Sequence, residues 1–287
     1  MTKGKGIALA ETRGWQFAFQ LEADEALASG KFSIPPLPQV AVELNDLANR
    51  RDPDLKAATQ LVHRDPQLAS RVLALASSAA FGSRVPISSL QVAVVRIGIN
   101  GLRDIAFAVM MGDVFRCGAL DFLMREENVR AYLLAATTHL VTRKLGLDSD
   151  QGFLAGLLAD VGRIAILALL AHLGRSEPRW LAEEVPLMEI LDATHTDVGP
   201  KVIAHWDLAP IVAKAARFHH TPMAAGEPLI IALAAADALV EASATEVEIE
   251  AVCQVDAIQQ SGLREADLRQ LLETVAMVRE RSAALFG

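Results

Sequence analysis

The sequence predicts an all-α protein, and three observations support this prediction. Hydrophobic residues make up 52 % of the chain, many of them Ala and Leu, while aromatic residues make up only 5 %. Ala and Leu favour helices, and apolar residues recur at helical spacing along most of the 287 residues. No run of alternating β-branched residues is long enough to indicate a sheet. This length allows a substantial core in one or two domains.

The first part of the chain predicts several short helices, most of which have a clear start signal. We expect residues 1–14 to be loosely ordered and residues 15–28 to form an amphipathic helix. Three prolines in residues 33–38 exclude a helix there. The start signals of the next helices are Pro38, Asp52-Pro53-Asp54, Asp65-Pro66 and a capping box from Ser88 to Gln91. Gly98 is expected to end the last of these helices before a fifth that Asn100 caps.

A joint is predicted at Cys117-Gly118-Ala119, followed by a long helix from Phe122 to Leu145. The next stretch, Gln151 to Leu173, is apolar on nearly every side and therefore predicts a central, buried helix. Asp160 lies in the middle of it, and a buried carboxylate needs a charged or hydrogen-bonding partner, or a proton. The remaining predicted helices are Leu187–Ala193, Asp197–Trp206, Leu208–His219, Pro228–Ala242 and Arg264–Leu285.

Charge and hydropathy argue against several classes of partner. The net charge of −8 and the pI near 5.4 disfavour binding to nucleic acid or to an anionic membrane. The uncharged apolar run at residues 164–173 is shorter than the roughly 20 residues of a spanning helix, and no secretory signal is evident. Cys117 and Cys253 are too few for a disulfide framework or a thiolate zinc site. We therefore expect a cytoplasmic protein.

Five polar residues in the second half could carry chemistry: Asp160, His195, His219, His220 and Asp237. Imidazole and carboxylate groups together are the ligand set of a hydrolytic metal site, which would activate water against a phosphoester. The alternative is a structural network in which the carboxylates pair with the imidazoles or with a basic side chain, such as Arg163 or Arg217. The spacing alone leaves both interpretations open.

Several ordered segments resemble the HDOD domain, a bacterial relative of the HD phosphohydrolases. The matching segments are IPPLPQV at 34–40, LVHRDPQLASRVLALASSAAFG at 61–82, ISSLQVAVVRIGINGLRDI at 87–105, GLLADVGRIAIL at 156–167 and THTDVGPKVIAHWDLAPIVAKAARFHH at 194–220. One departure is mild, because Ser77-Ser78 replaces the usual Asn-Ser. The resemblance implies an N-terminal helical lobe, residues 15–117, packed on a degenerate HD-like bundle, residues 118–287.

The resemblance also implies that the metal site is incomplete. HD hydrolases hold a metal through a His on the preceding helix, a His-Asp doublet and a later Asp. The doublet here is Ala159-Asp160, no His occurs at residues 132–134, and Asp237 corresponds to the later Asp. His195, His219 and His220 resemble extra histidines of the HD-GYP phosphodiesterases, although the GYP element is absent. With two of four ligands lost, we expect no bound metal, no cofactor and no hydrolysis.

The expected function is therefore a non-catalytic signal-transduction module, which binds other signalling proteins in trans or a small signal. About 30 residues precede the matching region, too few for a fused partner domain. Two alternatives remain, a metal-dependent phosphohydrolase with an unusual site and a nucleotide second-messenger binder without turnover. Arg103, Arg163 and Arg217 could contact phosphate in the latter. The sequence does not predict an oligomeric state.

Overall fold

The computed structural model describes residues 14–26, 29–77, 89–115, 118–182, 185–245 and 247–282, and in these ranges it contains helices joined by turns and loops and no strand. The predicted all-α class is therefore confirmed. In chain order the helices are α1 (residues 14–26), α2 (Gln39–Ala48), α3 (Leu55–His63), α4 (Pro66–Ala76), α5 (Leu90–Val114), α6 (Asp121–Lys144), α7 (Ser149–Leu158), α8 (Val161–Ser176), α9 (Leu187–His205), α10 (Pro210–Phe218), α11 (Pro222–Ala225), α12 (Pro228–Ala242), α13 (Ile249–Cys253), α14 (Asp256–Ser261) and α15 (Glu265–Ser282). Short 3₁₀ turns span Gly118–Leu120 and Pro178–Leu181.

The predicted start signals act as side-chain caps at α3 and α4. The Asp54 carboxylate accepts a hydrogen bond from the backbone N–H of Ala57 at 2.9 Å, and the Asp65 carboxylate accepts one from Gln67 at 2.9 Å. Ser88 lies outside the described residues. Instead, the Ser89 hydroxyl accepts from the backbone N–H of Val92 at 3.2 Å and caps α5.

The predicted break at Gly98 is present as a kink within α5. Gly98 has φ 71° and ψ −179°, a conformation that is essentially restricted to glycine. The helix packs against α2, α3 and α4, and also against α6 and α7. Because α5 contacts both halves of the chain, the division into residues 15–117 and 118–287 stays a prediction. The joint residue Cys117 lies outside the described residues.

The stretch predicted as one central helix is two helices, α7 and α8, and this corrects the sequence-based prediction. Ala159 and Asp160 form the turn between them, and Asp160 has φ −102° and ψ 15°. Neither a proline nor a positive-φ glycine marks this break, so the apolar pattern continues through it. The turn allows the buried carboxylate to reach partners on other helices, which a buried charge requires.

The segment Ser149–Ser176, which contains both helices, is long and apolar enough to cross a membrane by length and composition. The uncharged run at residues 164–173 is too short to indicate a membrane-spanning length by itself. Its most hydrophobic window is 100 % buried among the described residues, as in the core helix of a folded protein. Cytoplasmic location stays a prediction.

The two helices predicted at residues 187–193 and 197–206 are one continuous helix, α9, with Pro200 inside it. Proline has no N–H to donate to the carbonyl four residues earlier, here that of Thr196. Arg217 Nη1 donates to this carbonyl at 3.3 Å and so replaces part of the missing interaction. Helix α12 has the predicted bounds, whereas the short helices α11, α13 and α14 were not predicted. The predicted end of the last helix, Leu285, lies outside the described residues.

Helix α6 is the central element of the second half, and it packs against α7, α12 and α15. Helix α8 packs against α9, which in turn packs against α10. Helices α8 and α9 approach each other closely at Gly162, where a Cβ atom would lie 2.1 Å from the carbonyl oxygen of His195. The absence of a side chain at Gly162 therefore sets how closely His195 approaches the turn that carries Asp160.

Gly162→Ala should destabilise the protein by at least about 1–3 kcal/mol, because the new methyl group would overlap backbone atoms of α9. Gly199→Ala is the matched control at the same crossing, since its Cβ would lie 3.4 Å from the nearest atom, Cβ of Ala216. That control should lose clearly less stability than Gly162→Ala, because its methyl group meets no backbone atom of α8 at clashing distance and is opposed only by the local restriction before Pro200. Urea unfolding of both variants measures the difference, and equal stabilities would contradict the assigned packing.

Candidate functional site

Six polar side chains from different helices meet in the second half of the chain. They are Arg130 on α6, Asp160 in the α7–α8 turn, His195 on α9, His219 and His220 after α10, and Asp237 on α12. We refer to these six residues as the polar centre. All five residues predicted from the sequence are therefore brought together, and the sixth, Arg130, was not predicted.

Arg130 joins the two carboxylates of the polar centre. Its Nη1 donates to Asp160 Oδ2, and its Nη2 donates to Asp237 Oδ1 at 2.9 Å. Asp160 is 4 % exposed and Asp237 is 8 % exposed, whereas 33 % of the Arg130 side chain is exposed. One guanidinium therefore supplies the charged hydrogen-bond partners that both buried carboxylates require.

The basic partners expected for Asp160, Arg163 and Arg217, are not its partners. Arg163 binds Glu127 at 2.9 Å and Asp192 at 2.5 Å, and Arg217 pairs with Asp197. Both side chains form their ion pairs with these other carboxylates, and neither forms one with Asp160.

Arg103, the third arginine proposed for phosphate contacts, pairs with its neighbour Asp104 at 2.6 Å on α5. It is buried there and is not part of the polar centre.

The position of Arg130 in the sequence points to its role, although the family motif does not include it. The family pattern expects a metal-binding His near residues 132–134, where this chain has none. Residues three or four apart lie on one face of a helix, so Arg130 lies one turn before Leu133 and Leu134 on α6. A search of that face for any cationic residue would have found Arg130.

Two histidines of the polar centre lie near the other carboxylate oxygen of Asp160, and the third lies next to one of them. His219 Nε2 lies 3.3 Å and His195 Nε2 lies 3.5 Å from Asp160 Oδ1. His220 Nε2 lies 3.1 Å from His195 Nε2. Asp160 thus separates a guanidinium on its Oδ2 side from a group of imidazoles on its Oδ1 side.

Backbone contacts fix the orientation of two of these rings. His195 Nδ1 lies 2.8 Å from the carbonyl oxygen of Leu191, and His219 Nδ1 lies 3.1 Å from that of Ala216. Carbonyl oxygens only accept hydrogen bonds, so both Nδ1 atoms carry hydrogen. In the neutral rings the Nε2 atoms therefore present lone pairs to the interior of the polar centre.

The charges of the polar centre shift the pKa values of its groups in different directions. Burial alone would raise the pKa of Asp160, but His219, Arg130 and His195 hold that pKa far below its usual range. Burial would lower the pKa of His219, but the adjacent Asp160 outweighs it and raises that pKa. His219 is thus the imidazole most disposed to carry a proton.

The other groups of the polar centre favour their neutral forms more than usual. Burial, together with the nearby His219, lowers the pKa of His220 to about 4. Burial also lowers the pKa of His195, although Asp160 opposes this shift. Burial raises the pKa of Asp237 despite the neighbouring Arg130.

Four donors of the polar centre fit a metal ion. One ligand atom from each of Asp160, His195, His219 and His220 lies within 4.8 Å of the others. His219 Nε2 is buried and has no aligned hydrogen bond to any group in the part of the chain that is described. Nitrogen and carboxylate donors of this kind suit zinc and related divalent ions. The expected absence of a metal stays untested.

Two cavities adjoin the polar centre from different sides. A cavity of about 550 Å³ lies between α6, α12 and α15, where Arg130, Arg279, Leu133 and Val240 are among its lining residues. A second cavity, of about 430 Å³, is bordered by His219, His220 and Asp237. The first is a candidate ligand site, and the second gives solvent access to the imidazoles.

Comparison with known proteins identifies the family. The model of the HDOD domain matches residues 34–222. An uncharacterised protein of Treponema pallidum (strain Nichols) is 26 % identical over 215 residues, which cover 71 % of this chain and 41 % of that protein. The chain thus spans less than half the length of this relative.

Two solved structures have the same fold. One is a protein of Shewanella amazonensis SB2B whose name proposes a metal-dependent phosphohydrolase, with TM-score 0.73 and 20 % identity over 96 % of this chain and 100 % of that chain. The other is an HDOD domain protein of unknown function from Geobacter sulfurreducens, with TM-score 0.67 and 20 % identity over 91 % and 96 % of the two chains. At this identity the likeness shows the fold alone.

Arg130→Met should destabilise the protein by about 3 kcal/mol, because it leaves two buried carboxylates without their cation. The loss lies at the lower end of the range for buried pairs, since Arg130 is partly exposed. Arg125→Met on the exposed face of α6 is the control and should change stability by less than about 0.5 kcal/mol. Urea unfolding near pH 7 measures both, and a loss no larger than that of the control would contradict the assigned role of Arg130.

Proposed function

Because the chain belongs to the HDOD family, we propose that it is a bacterial signal-transduction module that binds a small signal or another signalling protein without hydrolysing a substrate. The proposal is supported by the family assignment and by the ion pairs of the polar centre. It places the protein in the cytoplasm, where it acts on partners in trans.

The observation that carries this proposal is the position of the Arg130 guanidinium. It binds both Asp160 and Asp237, the two carboxylates that correspond to metal ligands of the HD hydrolases. The doublet position that would hold a metal-binding His is Ala159. Hydrolysis of a phosphoester by a metal requires an ion with an open position for water. A cation supplied by the chain neutralises the carboxylates but offers no such position.

The cavity of about 550 Å³ is the proposed place for a small signal. It has the size of ordinary ligand sites and is lined by apolar side chains together with three arginines and two glutamates, Arg125, Arg130, Arg279, Glu126 and Glu241. Arg130 contacts both this cavity and the polar centre, so a ligand that binds its guanidinium would compete with Asp160 and Asp237. Such competition would change the packing of α6 against the α7–α8 turn and α12. A ligand that binds one packing arrangement more tightly than the other shifts the equilibrium between them.

A metal-dependent phosphohydrolase is the second candidate, and one observation favours it. Asp160 and three imidazoles form a donor set that fits a divalent ion, next to a cavity open to substrate. If an ion there kept a position for water, it would supply a nucleophile near neutral pH. Asp160 would then hold the ion through Oδ1 while Arg130 remains on Oδ2.

We expect no turnover of bis(p-nitrophenyl) phosphate, p-nitrophenyl phosphate or cyclic dinucleotides when the purified protein is supplied with Mn²⁺, Fe²⁺, Ni²⁺ or Zn²⁺. The reason is that the two retained carboxylates are bound to Arg130. The control is Asp160→Asn, which should give the same background rate. Turnover by the wild type that this variant loses would overturn the non-catalytic proposal in favour of the enzyme.

A further inference from the structure

The cavity of about 550 Å³ between α6, α12 and α15 has an apolar wall that extends from the core to the surface. Leu133 and Val240 are buried at its inner end, whereas Phe122 is 66 % exposed and lies at its opening. Val129 adds apolar surface from the same face of α6. Such a wall favours a ligand with an apolar body, because binding would remove this surface from water.

Two guanidinium groups lie beside this wall. Arg130 reaches the cavity from α6, and Arg279 reaches it from α15. Burial and the positive charge of Arg130 both lower the pKa of Arg279, so the two like charges are close enough to repel each other. An anion that contacts both groups would relieve this repulsion, and its hydrogen bonds to them would be charge-assisted.

The existing hydrogen bonds of the two arginines hold their side chains at the cavity. Arg279 Nη2 donates to the carbonyl oxygen of Val240, near the end of α12. Arg130 binds Asp160 through Nη1 and Asp237 through Nη2, and these two bonds use two of the five N–H groups of its guanidinium. The guanidinium of Arg130 therefore has the donor capacity for a third carboxylate, which would share its charge with the two buried ones.

The charges around the cavity favour a ligand with a single negative charge. Its lining residues include three arginines and two glutamates, a balance of one positive charge: Arg125, Arg130, Arg279, Glu126 and Glu241. A phosphate ester or a cyclic dinucleotide with several charges would bring more negative charge next to the glutamates, which costs free energy. One carboxylate adds less of this repulsion and matches the geometry of a guanidinium.

We propose that this cavity binds a small amphiphilic monocarboxylate, with its carboxylate on Arg130 and Arg279 and its apolar body on the wall formed by α6 and α12. This inference rests on the proposed signalling function and names the chemical class of the signal. Because Arg130 also binds Asp160 and Asp237, the ligand and the polar centre share one cation. Binding of the ligand and the ion pairs of the polar centre therefore weaken each other, as thermodynamic linkage requires.

The test is calorimetric titration of the full chain with octanoate, 1-octanol and octylammonium, which have the same chain length and differ in the charge of the head group. Octanoate should bind at one site per chain. The affinity for 1-octanol should be at least about tenfold weaker, because its hydrogen bonds are not charge-assisted on the ligand side. Octylammonium should bind more weakly still. The proposal is overturned if octanoate does not bind, or if octanoate and 1-octanol bind alike.

Arg279→Met should weaken octanoate binding by at least about tenfold, because it removes one of the two cations. Arg269→Met, at an exposed arginine on the same helix, is the matched control and should leave the affinity unchanged. Ala244→Trp places a ring at an exposed position of the cavity wall and removes no hydrogen-bonding side chain. It should also weaken octanoate binding, and it replaces Arg279→Met if that variant is unstable. Octanoate binding that neither variant weakens would contradict the assigned site.

Asp237→Asn should tighten octanoate binding by at least about fivefold, because it releases part of the charge of Arg130. Asp237 borders the other cavity, so this effect would reach the ligand through Arg130. An unchanged affinity would overturn the shared role of Arg130.

These outcomes differ from those of the hydrolysis assays. Absence of octanoate binding together with absence of turnover removes the ligand class and leaves the signalling proposal in place. Turnover of a phosphoester overturns the non-catalytic proposal, whereas selective octanoate binding still supports the ligand site.

Discussion

The bridge from Arg130 to Asp160 and Asp237 is the interaction on which the rest of the polar centre depends. Two carboxylates buried on separate elements would repel each other and lose their hydration unless a cation lay between them. The guanidinium satisfies both and joins α6 to the α7–α8 turn and to α12. The break between α7 and α8 is consistent with this requirement, because the turn at Asp160 directs its carboxylate to partners on other helices.

Asp160 has two different sides as a consequence. Its Oδ2 contacts Arg130, which lines the larger cavity, while its Oδ1 lies near His195 and His219, of which His219 borders the smaller cavity. A change on either side alters the charge that the other side experiences. This coupling offers a physical route by which a ligand in the larger cavity or an ion among the imidazoles could change the packing of one shared carboxylate.

Local sequence signals predicted much of the fold and the membership of the polar centre. Helix periodicity predicts the bounds of α6 and α12 to within a residue or so, and the predicted caps at Asp54 and Asp65 are present. Errors arose where distant residues decide the local structure. Residues 194–196 were predicted to separate two helices, but they continue α9, in which Arg217 on another helix donates to the carbonyl that Pro200 leaves free. The break at Asp160 also carries no local signal, because it depends on partners far away in the chain.

The same reasoning explains why Arg130 was not predicted. Family motifs identify positions where a ligand is expected, and here the expected His is absent. Arg130 lies one helical turn from the expected position and carries a guanidinium instead of an imidazole, so the family motif does not include it. Only the spatial arrangement shows that the cation of the polar centre comes from the chain itself.

The most direct test of this account is a double-mutant cycle of Arg130→Met and Asp160→Asn, measured by urea unfolding in the presence of a chelator. If the guanidinium is the cation that the buried carboxylate requires, each single variant destabilises the protein and the double variant loses much less than their sum. The predicted coupling energy is about 2–3 kcal/mol. Additive effects, within about 0.5 kcal/mol, would show that the two residues do not depend on each other and would contradict the account.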